Sequence, residues 1–372
     1  MLPPADGSSD HRLGAGGRRL ARPVRDGPAG YGRPVSTLPH RRSPSGLSLP
    51  VVSFGLWQNF GSGTSFDDQR RLVLHAVDRG VVHLDLANNY GPPPFAAEES
   101  MGRLLGRELR GRRDELLLTT KAGYRAWPGP YGEFGSAKYL RASLDESLRR
   151  LGVDTVDVFY SHRFDGATPL EETVGALAQA VRSGKARQVG ISSYSAERTV
   201  EALRVADRVG VPLVVHQVAY SLLNRWVERP GPDGRSLLDV AAQAGMAVVA
   251  FSPLGQGMLT GRYLAGVPAD SRAARGGPLR PEWLTDEVLG HVRALDAIAR
   301  GGGRTLPRLA LAWVLRDARI TSVLVGARTV EQLDESLAVA SDPPLSADEL
   351  RAIEPHAVEA GINLWGPRSS DR

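Results

Sequence analysis

The chain has 372 residues, 42% of them hydrophobic and 23% charged, which is typical of a soluble globular protein. No run approaches the roughly 20 apolar residues that a membrane-spanning helix needs, so we expect no membrane partner. The absence of cysteine excludes disulfides, thiolate nucleophiles and cysteine-based metal sites, and we expect no metal centre. It is also compatible with the reducing cytoplasm, which is the location we predict.

The formal net charge of +5 belongs to the amino-terminal segment. Residues 1–45 contain eight arginines and three aspartates, so the rest of the chain is neutral. The segment is rich in Gly, Pro, Ser and Arg and lacks apolar periodicity. We therefore predict that residues 1–36 are a disordered extension of one domain, residues 37–372. A transit peptide and a nonspecific nucleic-acid tail are the alternatives, but we expect no nucleic-acid partner.

From about residue 50, short apolar runs alternate with amphipathic segments. The runs are VVSFGL, VVHLDL, ELLLTT, TVDVFYSH, ARQVGIS, LVVHQVAY, MAVVAFSP and ITSVLVGA, which begin at residues 51, 81, 115, 155, 186, 213, 246 and 320. Segments between them, such as SAKYLRASLDESLRRLG, repeat apolar residues every three or four positions and stop at glycine. Eight such units predict an α/β fold, a closed (β/α)8 TIM barrel. Extra helices are expected within 253–319, and the tail after 327 should pack outside the barrel.

Ionisable side chains lie at the ends of three consecutive predicted strands. Asp85 is near the end of the second strand, Lys121 closes the third and His162 closes the fourth. Tyr90 follows on the loop after the second strand. Because catalytic groups of such barrels lie at the carboxyl ends of the strands, we expect these four side chains at one mouth. Each alone has a structural alternative: a capping Asp, a solvated Lys or a hydrogen-bonded structural His.

The chemistry that these groups support is proton donation to a carbonyl. A tyrosine with an ordinary pKa of about 10 is a weak acid at neutral pH, and an adjacent ammonium favours its phenolate. We expect Lys121 to lower the pKa of Tyr90, and Asp85 to keep Lys121 charged. His162 could orient the carbonyl oxygen. None of these groups supplies electrons, so a hydride must come from a cofactor.

The sequence resembles the aldo-keto reductases. Asp85, Tyr90, Lys121 and His162 match the catalytic tetrad of that family. The motifs LANNYGPPP, FYSHRFD, VGISSYS, HQVAYSLLNRW and the terminal NLW look like those of its bacterial L-glyceraldehyde 3-phosphate reductases, relatives of the potassium-channel beta subunits. The resemblance covers the chain from about residue 40 to the end.

The resemblance implies that NADPH lies extended over the barrel mouth without a Rossmann fold. For the nicotinamide end it implies contacts with Trp57, Ser192, Ser193, Gln217 and Tyr220, with Tyr220 stacked on the ring. For the pyrophosphate it implies the loop residues Ser252, Pro253, Leu254, Gln256, Gly257 and Arg262, together with Arg272. For the adenosine it implies Gly326, Arg328, Gln332, Glu335 and Ser336.

The adenosine segment, GARTVEQLDES at 326–336, also has a general anion-binding rationale. A helix amino terminus offers N–H groups to an anion, and Arg328 is suited to a 2'-phosphate, which favours NADPH over NADH. Without the resemblance, an ordinary capped helix with surface charges is the preferred interpretation.

The predicted function is NADPH-dependent reduction of small aldehydes. The resemblance favours L-glyceraldehyde 3-phosphate and then methylglyoxal as substrates. An aromatic rim of Trp57, Tyr124, Trp127 and Trp226 could border the substrate. Arg163 could bind its phosphate, or it could equally pair with Asp165 or Glu171. The alternatives are an NADP(H)-sensing regulatory subunit with little turnover, which His162 disfavours because the channel subunits tend to have asparagine there, and a barrel isomerase. A homo-oligomer is left open.

Overall fold

The computed structural model describes residues 38–264, 266 and 279–362. Arg272, the terminal NLW motif and the predicted extension at 1–36 lie outside these residues.

The architecture is a closed parallel barrel. The strands are β1 (His40–Arg42), β2 (Ser48–Pro50), β3 (Val52–Gly55), β4 (His83–Asp85), β5 (Leu117–Ala122), β6 (Val156–Ser161), β7 (Ala186–Ser192), β8 (Leu213–Ala219), β9 (Ala247–Phe251) and β10 (Ser322–Val325). Strands β3 to β10 pair in parallel, each with the next along the chain, and β10 closes onto β3. All eight predicted strands are present, which confirms the (β/α)8 TIM barrel.

Helices surround the barrel. They are α1 (Phe66–Asp78), α2 (Ala96–Leu105), α3 (Ala137–Leu151), α4 (Leu170–Arg182), α5 (Ala196–Val209), α6 (Leu237–Gln243), α7 (Asp286–Gly301), α8 (Leu306–Leu315), α9 (Val330–Leu337) and α10 (Ala347–Ile353). Local chemistry sets their ends: Ser136 and Ser195 cap α3 and α5, and Gly152 and Gly210 end them in the left-handed conformation. Among the described residues, no helix has the length and apolar character needed to cross a membrane.

A hairpin that the sequence analysis did not predict closes the amino end of the barrel. Strands β1 and β2 pair antiparallel, and Leu47 and Leu49 pack with barrel residues such as Tyr160 and Val249. The Arg41 guanidinium donates to three backbone carbonyls at residues 315, 317 and 320, just before β10 begins. The opposite end of the barrel, where the parallel strands finish, remains open and carries the candidate active site.

Candidate active site

Three neighbouring strands bring the predicted ionisable groups together. Asp85 is the last residue of β4, Lys121 is the next-to-last residue of β5, and His162 follows β6 directly. Strand β5 pairs with both β4 and β6, so the three side chains share one edge of the barrel mouth. Tyr90, on the loop after β4, turns back toward them.

Lys121 is the centre of the cluster. Its ammonium donates to Asp85 Oδ2 at 2.5 Å, to the Leu86 carbonyl at 2.7 Å and to Tyr90 Oη at 3.2 Å. These contacts use all three of its N–H groups. Asp85 and Lys121 have no exposed surface. A fully buried ammonium is tolerated here because each proton has an acceptor and a carboxylate balances the charge.

Asp85 is held from the other side as well. Its Oδ1 accepts from the Thr119 hydroxyl at 2.7 Å and from the Gln217 amide at 3.0 Å. Gln217, which the resemblance placed beside the nicotinamide, therefore bonds the carboxylate in this structure. With the Lys121 ammonium on Oδ2, the Asp85 side chain thus accepts from three donors.

The pKa of Tyr90 differs in direction from the sequence-based expectation. Burial raises the pKa of this phenol well above its ordinary value, and the Asp85 carboxylate adds to the rise. Burial also lowers the pKa of Lys121, against the opposing effect of Asp85. Desolvation, which the sequence argument did not weigh for tyrosine, thus outweighs the nearby ammonium. Tyr90 therefore keeps its proton at neutral pH, the state that a general acid needs, and Lys121 stabilises the phenolate only as the proton leaves.

His162 faces Tyr90 across the mouth, with 5.8 Å between ring centroids. Burial, then the charges of Lys121 and Arg163, hold the pKa of His162 well below 6.5, so the imidazole is neutral. Its Nδ1 is buried and has no hydrogen-bond partner in the part of the chain that the structure describes. A proton there would find no acceptor, which favours the tautomer with the proton on Nε2 and leaves that N–H able to donate to a carbonyl oxygen.

A cavity of about 560 Å³ opens beside Tyr90. Residues that the resemblance assigned to the cofactor line it, namely Trp57, Ser252, Pro253, Leu254, Gln256, Gly257, Arg262, Gly326, Arg328, Gln332, Glu335 and Ser336. Asn59, Thr260 and Tyr263 also line it and were not predicted. The cavity thus joins the tetrad to the loop after β9 and to the start of α9.

The lining fits an extended polar ligand such as a dinucleotide. Gln256 is 6% exposed and has φ of 57°, and neither polar atom of its amide has a partner among the described residues. A buried amide without partners is costly unless a ligand or water completes it. At the α9 end, Thr329 accepts from the Gln332 backbone and Gln332 accepts from the Arg328 backbone. Two of the amides that the sequence analysis offered to an anion are therefore already engaged.

Three predicted nicotinamide contacts are buried away from this cavity. Ser192 and Ser193 follow one another at the end of β7 and are 1% and 2% exposed. Tyr220 has no exposed surface: its ring lies 5.4 Å from that of Trp313 and its hydroxyl bonds Glu228. A side chain without accessible surface cannot stack on a ligand unless it moves, so the contact of Tyr220 with the nicotinamide stays a prediction.

Arg163 does not make either pair that the sequence suggested. Its guanidinium donates to the Gly123 carbonyl at 2.9 Å and to Glu133 at 3.3 Å, and it lies between the rings of Tyr124 and Phe134. Neither Asp165 nor Glu171 is its partner. These contacts join the loops after β5 and β6, and binding of a substrate phosphate by Arg163 stays a prediction.

The aromatic residues of the predicted rim have distinct surroundings. The ring centroids of Tyr124 and His162 are 4.7 Å apart, and those of Trp57 and Tyr90 are 6.3 Å apart. Trp127 packs on Tyr139 instead, with ring centroids 5.0 Å apart. The indole of Trp226 donates to the Ala219 carbonyl. Of this set, Trp57 and Tyr124 directly adjoin the tetrad.

The comparisons with known proteins define the class of the protein. The model of the Aldo/keto reductase family matches residues 51–358, and the chain belongs to that family. It is therefore an oxidoreductase, and aldo-keto reductases generally use NAD(P)H and act on small molecules. This confirms the resemblance and the prediction of an enzyme.

Two relatives show where the chain lies within the family. The L-glyceraldehyde 3-phosphate reductase of Escherichia coli (strain K12) is 50% identical over 332 residues, 88% of this chain and 94% of that protein. A probable voltage-gated potassium channel subunit beta of Arabidopsis thaliana is 35% identical over 305 residues, 81% of this chain and 90% of that protein.

Proposed function

We propose that this protein reduces small aldehydes with NADPH and that Tyr90 is the general acid. The observation that carries the proposal is the contact of Lys121 with both Tyr90, at 3.2 Å, and Asp85, at 2.5 Å. It supports a buried ammonium that is charged before the reaction and positioned to stabilise a phenolate. The adjoining cavity supplies room for the hydride donor.

Each member of the tetrad has a defined task in this proposal. His162 donates an Nε2–H bond to the substrate carbonyl oxygen and orients it toward Tyr90. NADPH, when bound, supplies the hydride that the side chains cannot provide. Tyr90 gives its proton to the same oxygen, and Lys121 stabilises the phenolate that results. Asp85 keeps Lys121 charged and in place.

NADPH is proposed over NADH because of the charge that lines the cavity. Arg328, just before α9, is the proposed partner of the 2'-phosphate, and Arg262, on the loop after β9, adds a second guanidinium; such groups form charge-assisted bonds to phosphate. Gln256, whose buried amide has no partner within residues 38–264, 266 and 279–362, is the proposed contact near the pyrophosphate. L-glyceraldehyde 3-phosphate is the first candidate substrate, because the relative with 50% identity is an L-glyceraldehyde 3-phosphate reductase. Methylglyoxal is the second candidate. A cytoplasmic location is proposed on the cysteine-free composition.

The test compares Tyr90→Phe with the wild type on phosphorylated and unphosphorylated short aldehydes and on both nicotinamides. Turnover should fall by at least about a hundredfold, the usual contribution of a positioned general acid, while NADPH still quenches tryptophan fluorescence. Tyr131→Phe is the matched control, because Tyr131 is 50% exposed and lies on a loop outside the tetrad. Full activity in Tyr90→Phe would contradict the proposal.

The second candidate function is an NADP(H)-sensing subunit, which the similarity to the potassium channel beta protein favours. It predicts tight NADPH binding with no turnover of any aldehyde tested, and a biological effect that Tyr90→Phe leaves intact. The neutral His162 beside Tyr90 supports the enzyme instead, since it adds a donor for a substrate carbonyl.

A further inference from the structure

A chain of hydroxyl groups and one imidazole lies inside the barrel beneath Asp85. Ser322 Oγ is 2.6 Å from Ser53 Oγ, which is 2.7 Å from His83 Nδ1. His83 Nε2 is 3.2 Å from Thr119 Oγ1, which donates to Asp85 at 2.7 Å. Ser322, Ser53, His83 and Thr119 all have no exposed surface. The tetrad mechanism uses none of these four side chains.

Strand alternation builds this layer. His83 and Asp85 are two residues apart on β4, and Thr119 and Lys121 are two residues apart on β5, so each pair shares the inner face. Ser53 lies on β3, the other neighbour of β4. The polar layer thus lies directly beneath the carboxylate of Asp85 and the ammonium of Lys121.

The direction of every bond in the chain follows from one atom. Asp85 Oδ1 is the acceptor of both the Thr119 hydroxyl, at 2.7 Å, and the Gln217 amide, at 3.0 Å. The one hydroxyl proton of Thr119 is then committed, and the hydroxyl can only accept from His83. An acceptor on His83 facing an acceptor on Thr119 would be repulsive at this distance.

The remaining bonds of the chain follow from the direction of the Thr119 hydroxyl. His83 must carry its proton on Nε2, and its Nδ1 must accept from Ser53. Ser53 then accepts from Ser322. All the donors point toward the carboxylate, and hydrogen bonds aligned in this way strengthen one another in a low-dielectric interior.

We propose that His83 is a positioning residue which, as the neutral Nε2–H tautomer, aims the Thr119 hydroxyl at Asp85 and thereby holds the carboxylate that orients Lys121. The effect on turnover rests on the proposed function, whereas the tautomer itself does not. Burial lowers the pKa of His83 to about 4, with Lys121 acting in the same direction and Asp85 and Asp157 opposing, so the neutral form persists through the physiological range.

The first test measures the tautomer directly by nitrogen NMR on protein labelled in histidine, with the His83 signals assigned by their loss in His83→Gln. We expect the Nε2–H form without titration between pH 5 and 9. Thr119→Val should shift the proton toward Nδ1, because Nε2–H then has no acceptor. Thr120→Val is the matched control, since that hydroxyl bonds Glu98 instead, and it should leave the tautomer unchanged. An Nδ1–H form in the wild type would overturn the proposal.

The second test separates positioning from packing. His83→Met removes the donor, and kcat should fall about tenfold, the rate equivalent of one net hydrogen bond, with the NADPH dissociation constant unchanged. His83→Gln places an amide N–H near the former Nε2 and should restore most of kcat. Equal losses in both variants, in folded protein, would show that His83 only fills space. If the wild type reduces no aldehyde, the proposed function fails while the NMR result still decides the role of His83.

Discussion

Replacing Asp85 by Asn would leave the buried Lys121 ammonium without its counter-charge. Both side chains lack exposed surface, and Nζ lies 2.5 Å from Oδ2. At that distance and an effective dielectric constant of about 20, the attraction is about 7 kcal/mol. Losing the lysine proton at pH 7 costs about 5 kcal/mol, given an unperturbed pKa of about 10.4. Losing the lysine proton costs less than losing the attraction to the carboxylate, so we expect Lys121 to be neutral in Asp85→Asn.

The expected loss in the free energy of unfolding is about 3–5 kcal/mol at pH 7, measured by urea denaturation. Asn can keep Oδ1 as an acceptor for Thr119 and Gln217, so the charge is the main thing removed. The loss should shrink as the pH rises from 7 toward 10. In that window the unfolded lysine still binds a proton that the folded variant does not, so stability rises with pH.

The double variant Asp85→Asn with Lys121→Met is the decisive comparison. With neither charge buried, it should recover most of the stability that Asp85→Asn alone loses. A loss below about 1 kcal/mol in Asp85→Asn, or a double variant no more stable than that single one, would refute the claim that the two charges depend on each other.

Three further predictions concern other parts of the molecule. Arg328→Leu should raise KM for NADPH about tenfold or more and leave KM for NADH unchanged in steady-state assays, and equal losses would contradict a 2'-phosphate contact. Burial lowers the pKa of His216 to about 3, so the contribution of this residue to stability should be constant above about pH 6.5 and fall below it as the unfolded imidazole takes up a proton. In His216→Gln the loss of unfolding free energy between about pH 6.5 and 4.5 should be smaller by about 2 kcal/mol, measured by urea unfolding. Gly190→Ala should lower the unfolding free energy by about 1–3 kcal/mol, since a Cβ would lie 2.6 Å from Val215, whereas Gly175→Ala has free space and should not be destabilising.

The barrel could be predicted because its strands are buried on both faces and its helices carry explicit end signals. Lys121 and His162 fall at the ends of their predicted strands, so their convergence followed from strand order alone. Strand alternation could also have revealed Thr119 and His83, each two residues before a tetrad member.

Other features depend on information that local sequence does not carry. The β1–β2 hairpin has strands of only three residues, too short for a periodic pattern. Arg163 pairs with Glu133, 30 positions earlier, because two loops meet above the barrel. The pKa of Tyr90 required the actual depth of burial, which no residue pattern reports.

Leu47 and Leu49 of the β1–β2 hairpin pack against barrel residues and cover the amino end of the barrel. Within the described residues, solvent can therefore reach the buried polar layer beneath Asp85 only through the mouth at the opposite end. A ligand bound across the mouth would block this access. Deuterium exchange of the buried hydroxyl and imidazole protons should then slow in proportion to the fraction of protein that has ligand bound.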